Sequence, residues 1–125
     1  MTTDHHGALV HHVELWTDDL ALAERQWGPV LVALGCEPFQ HWDHGRSWRR
    51  GASYVVIEQS PALHPGGHDR LRAGLNHLAL RGPKPAPLAA ALAAGWHQRV
   101  DTGTAVHLVD GQGFELELVY AEDDA

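Results

Sequence analysis

Between Leu9 and Trp16 the hydrophobic and polar positions alternate. Leu9, Val13 and Leu15 fall on one side with His11, and Val10, His12, Glu14 and Trp16 on the other. A period of two predicts a strand with one apolar and one mixed face. The period then lengthens: after the N-capping residues Thr17-Asp18-Asp19, the positions Leu20, Ala23, Trp27, Leu31 and Leu34 recur at helical spacing until Gly35. Gly28-Pro29 should kink or divide that helix, because proline lacks the backbone donor and disfavours helical geometry in the residue before it. Short strands are predicted over Glu37 to Asp43 and Arg46 to Arg50, around a turn at His44-Gly45. A stronger strand follows over Ser53 to Gln59, with Val55 and Ile57 facing one way and Tyr54, Val56 and Glu58 the other.

A Pro- and Gly-rich connection over 60–73 separates this half from a second one. There a strand is predicted from Leu75 to Leu80, a helix from Pro87 to Ala94 ended by Gly95, and strands near His97 to Asp101, Thr104 to Val109 and Phe114 to Tyr120. The β-α-β-β-β order thus occurs twice. Its landmarks agree: 23 positions separate His12 from Gly35 and Gly35 from Glu58, against 18 and 22 for His77, Gly95 and Glu117. An internal duplication accounts for this.

The 125 residues, 44% hydrophobic and 20% charged, suit one globular domain. A formal charge of -7 without clustered Lys and Arg argues against nucleic acid as a partner. No apolar run is long enough to cross a bilayer and the N-terminus lacks a signal-peptide layout, which points to the cytoplasm and away from membranes. The lone Cys36 reads as a small buried side chain.

Histidine is the compositional anomaly, at 11 residues. In FELELVY, Phe114, Leu116, Leu118 and Tyr120 share one face, and Glu115, Glu117 and Val119 the other. If the histidine- and glutamate-bearing strands curl together, His12, Glu58, His77 and Glu117 project into one cavity. Four unsatisfied polar groups would each cost about 1 to 3 kcal/mol, and one divalent cation would satisfy them all. Imidazoles and carboxylates suit Zn²⁺, Ni²⁺, Co²⁺, Mn²⁺ or Fe²⁺, leaving two positions of a six-coordinate ion for a substrate's oxygens. Trp16, Trp42, Trp48 and Tyr54 are candidates to line a substrate pocket, with Arg46 or Arg49 to meet an anionic group; His107 is a spare imidazole on a predicted strand.

From HHVELWTDDL through YVVIEQS and GLNHLAL to DGQGFELELV, the chain resembles the vicinal oxygen chelate superfamily. That superfamily includes glyoxalase I, methylmalonyl-CoA epimerase, extradiol dioxygenases and the fosfomycin and bleomycin resistance proteins. The resemblance implies an α+β fold of two βαβββ modules, 8–59 and 74–120, forming a curved mixed sheet around a cavity with helices outside. An acidic tail, 121–125, would complete a single domain over 1–125. Having all four residues is most like glyoxalase I, and implies a metal-dependent lyase or isomerase working through an enolate or enediolate of a small oxygenated substrate, with Glu58 or Glu117 as base. The resemblance leaves open an Fe²⁺ extradiol dioxygenase using His12, His77 and Glu117, and a metal-free drug-binding protein. Members of the superfamily frequently form homodimers, some with the site at the interface.

Overall fold

The computed structural model describes residues 8–120, so the acidic tail and the His5-His6 pair lie outside the described residues. The first module comprises β1 (His12–Trp16), α1 (Leu20–Ala33), β2 (Glu37–Trp42), β3 (Gly45–Arg50) and β4 (Ser53–Glu58). The second repeats the order with β5 (Leu78–Gly82), α2 (Ala86–Ala93), β6 (His97–Asp101), β7 (Ala105–Val109) and β8 (Glu115–Tyr120). Strand order is likewise repeated, as β1-β4-β3-β2 and β5-β8-β7-β6. In each sheet the first pair is parallel and the others antiparallel. This is the expected α+β architecture of two βαβββ modules, with the strands in two four-stranded sheets whose edges are β1 and β5 on one side.

Asp19 caps α1, its Oδ1 accepting from the Leu22 N–H at 3.0 Å. The helix runs undivided through Gly28-Pro29, where the sequence predicts a kink or break. Pro29 is exposed, whereas Trp27, Gly28, Val30 and Leu31 are buried. Gly28 lies flat against the Trp48 indole, where a Cβ would stand 3.4 Å from the ring. Burial of that face outweighs the one hydrogen bond that Pro29 forgoes.

The two helices pack on each other and join the modules. Trp27 of α1 meets Trp96 edge-on at a centroid distance of 4.9 Å, and the Trp96 indole N–H donates to the Gln26 carbonyl at 2.8 Å. One core results, from Leu15, Val55 and Ile57 of the first sheet to Val106, Leu108, Leu116 and Leu118 of the second. Strand alternation consequently turns His12, Glu14 and Trp16 away from that core, and all three are exposed. Among the described residues no helix is long and apolar enough to cross a membrane.

Candidate functional site

The polar face of the second sheet gathers the densest set of ionisable groups. Glu117 on the central strand β8 is flanked by Ala79 of β5 and His107 of β7 in the strand registers. His77 immediately precedes β5, two residues before Ala79, and so lies on the same face. Its Nε2 stands 3.1 Å from Glu117 Oε1, while His107 Nε2 lies 3.8 Å from that same oxygen. Asn76 Oδ1 accepts from His77 Nδ1 at 2.8 Å, and the Asn76 amide is oriented by donating Nδ2–H to the Arg70 carbonyl at 3.1 Å.

Glu115 lies one step along β8, only 2% exposed. His107 Nδ1 donates to its Oε2 at 2.7 Å, and the Arg70 and Arg99 Nε groups lie 3.1 and 3.0 Å from its Oε1. Burial alone would raise the Glu115 pKa, but the hydrogen bonds from Arg99 and His107 and the charges of Arg70 and Arg99 prevail, holding it below the ordinary carboxylate value.

The first sheet is furnished differently. His12 stacks on Tyr54 with centroids 4.8 Å apart, and its Nδ1 lies 2.8 Å from His11 Nδ1. The β1–β4 register pairs His12 with Tyr54 and Trp16 with Glu58. Glu58 is thus four residues along from the level of His12, about 13 Å at the rise of a strand, too far for one ion to join both within this sheet. The position matching Glu117 by repeat is Val56, buried at 4% exposure. The four-donor set expected from sequence is therefore not gathered: His77 and Glu117 meet, whereas Glu58 sits two residues past the equivalent place. Burial, and then the hydrogen bond and charge shared with Glu14, raise the Glu58 pKa. Among the described residues no group of three or more His, Cys, Asp or Glu side chains is placed to hold a metal ion.

The candidate pocket residues are dispersed. Trp48 and Tyr54 line a cavity of about 410 Å³ at the seam between the modules, with Val13, Leu34, Leu78 and Arg81. Cys36 also borders it, and burial pushes its thiol pKa up against the opposing charge of Arg50, which disfavours the reactive thiolate. Trp16 belongs to a separate cleft with Glu14, His68 and Phe114. Trp42 lies over Gly45. Arg46 is engaged by Glu24 and by the carbonyls of Trp42 and Gly45, so a structural role accounts for its donors. Asn76 and Glu115 are absent from the sequence-derived set, and His107 stands in it only as a spare. A hairpin count outward from the DGQG turn would have placed His107 opposite Glu117.

No protein-family model matches the chain. Its fold superposes on a candidate glyoxalase of Bacillus halodurans with a TM-score of 0.79 and 26% identity, over 92% of this chain and 97% of the other. The chain has the fold of the glyoxalase/bleomycin resistance/dioxygenase proteins. Other proteins with this fold are a glyoxalase/bleomycin resistance protein of Albidiferax ferrireducens T118 and a glyoxalase/dioxygenase of Nostoc punctiforme. The first has TM-score 0.76 and 18% identity over 92% of this chain and 100% of that one. The second has TM-score 0.70 and 15% identity over 98% and 99%. Among curated proteins, the uncharacterized protein YqjT of Bacillus subtilis (strain 168) is 46% identical over 72 residues, 56% of each chain. The match to that relative therefore spans little more than half its length.

Proposed function

We propose that this chain is a member of the vicinal oxygen chelate superfamily and a metal-dependent enzyme acting on a small oxygenated substrate, with His77 and Glu117 at the centre of its divalent-cation site. The observation that carries the reading is the pair His77 Nε2 and Glu117 Oε1, 3.1 Å apart. Two donors held about 2.1 Å from one ion at right angles stand about 3.0 Å apart, so the pair has the spacing of neighbouring ligands. Asn76 supports the fit: by accepting from Nδ1 it holds a proton there, so that a neutral ring would offer Nε2 to a cation beside the carboxylate.

When bound, such an ion supplies Lewis acidity to a substrate with two neighbouring oxygens. Glu117, poised beside His77, is the carboxylate that would take a proton from the carbon next to a carbonyl, the glyoxalase-type lyase or isomerase chemistry. Glu115 is unsuited to that role because two arginines and a histidine occupy it. A second reading is favoured by the displacement of Glu58. With that carboxylate removed from the set, a two-histidine, one-carboxylate site is also the arrangement of non-haem Fe²⁺ oxygenases. A second copy of the chain is the expected partner, because β1 and β5 are sheet edges and Trp16 is 42% exposed.

Elemental analysis after reconstitution with Zn²⁺, Ni²⁺, Co²⁺, Mn²⁺ or Fe²⁺ tests the proposal. About one ion per chain, lost in His77→Ala and Glu117→Gln, is expected. Failure of every one of these cations to bind the unaltered protein overturns it.

A further inference from the structure

We infer that the cavity at the seam between the modules is a binding site for a small amphipathic monocarboxylate, whose apolar body it encloses and whose carboxylate pairs with Arg50. This site is separate from the His77–Glu117 pair and does not depend on the metal-dependent reading. Strand alternation sets its position. Val13 and Val55 are register partners in β1 and β4, and Leu78 and Leu80 pair with the core residues Leu116 and Leu118. These side chains point toward the helices, on the opposite side of the sheets from His77 and Glu117.

The cavity measures about 410 Å³. Packed interiors leave few voids larger than a water molecule, whereas small-molecule pockets span about 300 to 1,000 Å³. Leu31 and Leu34 of α1, with Trp48 and Val55, give it buried apolar walls. Such walls suit a hydrocarbon or aryl body.

Charge selects the other end of the ligand. Among the described residues that border the cavity, two are arginines and none is Asp or Glu, in a chain whose formal charge is -7. The Arg50 Nη1 donates to the Leu34 carbonyl at the end of α1, at 2.8 Å, and to the Arg81 carbonyl of β5, at 3.0 Å. Those bonds pin the guanidinium between the modules. Its Nε and Nη2 have no acceptor among the described residues, and no carboxylate of these residues pairs with it. The open Nε–Nη2 edge matches a carboxylate, which accepts two parallel hydrogen bonds. One guanidinium balances one negative charge, so a monocarboxylate suits the site better than a phosphate dianion.

Cys36 is the chain's sole cysteine, borders the cavity and feels the charge of Arg50, so its thiol reports occupancy. The test titrates octanoate into the unaltered protein by calorimetry and follows alkylation of Cys36 by iodoacetamide. Octanoate should bind and slow the alkylation as the site fills; acetate, which lacks the apolar body, should do neither. Arg50→Gln should weaken octanoate at least about tenfold, the scale of a lost charge-assisted pair, and leave 1-octanol within about twofold. Because Arg50→Gln also gives up two carbonyl contacts and could fail to fold, Cys36 protection in the unaltered protein is the independent measurement. Absence of octanoate binding, or binding that leaves Cys36 as reactive as before, overturns the proposal. Octanoate affinity lost in His77→Ala but kept in Arg50→Gln also overturns it, by placing the anion beside Glu117. Cys36 protection that rises with protein concentration alone overturns it in favour of a second copy of the chain.

Discussion

Trp27 on α1 donates its indole N–H to Asp110 Oδ2 at 2.8 Å, tying the first module's helix to the turn from which β8 carries Glu115 and Glu117. Asp110 Oδ1 accepts in addition from the Gln112 and Phe114 backbone N–H groups, at 2.8 and 2.9 Å. One side chain thus sets the turn and anchors it to a buried tryptophan.

Asp110→Ala removes the acceptor for all three donors. A buried donor left unpaired costs about 1 to 3 kcal/mol, so the variant should lose about 3 kcal/mol in all. The expected reading is a lower urea midpoint at unchanged slope. A loss below about 1 kcal/mol would show that other contacts hold the turn.

Glu115→Gln should destabilise the metal-free protein at neutral pH by about 2 to 3 kcal/mol, the scale of a lost charge-assisted network. Its pKa is lowered from 4.5, so the unfolded state takes up the proton first as pH falls. The stabilisation is fully present above about 4.5 and is lost as pH falls through the lower folded value. The gap between unaltered protein and variant should therefore be widest at neutral pH and shrink below 4.5. Urea melts at a series of pH values check this, and a gap that widened toward acid would contradict the assigned role.

The duplicated element order was legible because alternation and helical spacing register burial, and the core residues obey both. Leu116 and Leu118 face the helices as the period-two pattern predicts. Pro29 misleads because propensity is local, whereas the packing of Gly28 on Trp48 brings together residues twenty positions apart. His77 and Glu117 were legible from their strand positions and meet as a pair. The place of Glu58 relative to His12 was not legible, because alternation gives the face of a strand and not its register; Tyr54, Val56 and Glu58 share a face, and only the β1–β4 pairing shows which lies beside His12. Trp48 lines the cavity between the modules while packing on Gly28 of α1, a contact that local patterning does not show.

Asn76→Ala should weaken divalent-metal affinity by about tenfold while leaving the fold intact. Asn76 is exposed and fixes the His77 ring through a single hydrogen bond, and loss of such an orienting partner costs about 10- to 100-fold in metal affinity. Competition with a chromogenic chelator measures the change. An unchanged affinity, with circular dichroism also unchanged, would show that Asn76 does not orient the ring.

Glu58→Gln separates the four-donor arrangement implied by the glyoxalase I resemblance from the one in which Glu58 stands apart. Its carboxyl shares a hydrogen bond with Glu14, and burial and that neighbouring charge raise its pKa above 4.5. For an acid with a raised folded pKa, ionisation favours the unfolded state, so stability is lost as pH rises from 4.5 through the folded value. The neutral amide removes that loss. Glu58→Gln should therefore be more stable than the unaltered protein at neutral pH, with the advantage vanishing below 4.5, and its metal affinity should stay within about twofold. A marked loss of bound metal would return Glu58 to the ligand set and require a rearrangement of β4 against β1, because the present register holds it beside Trp16.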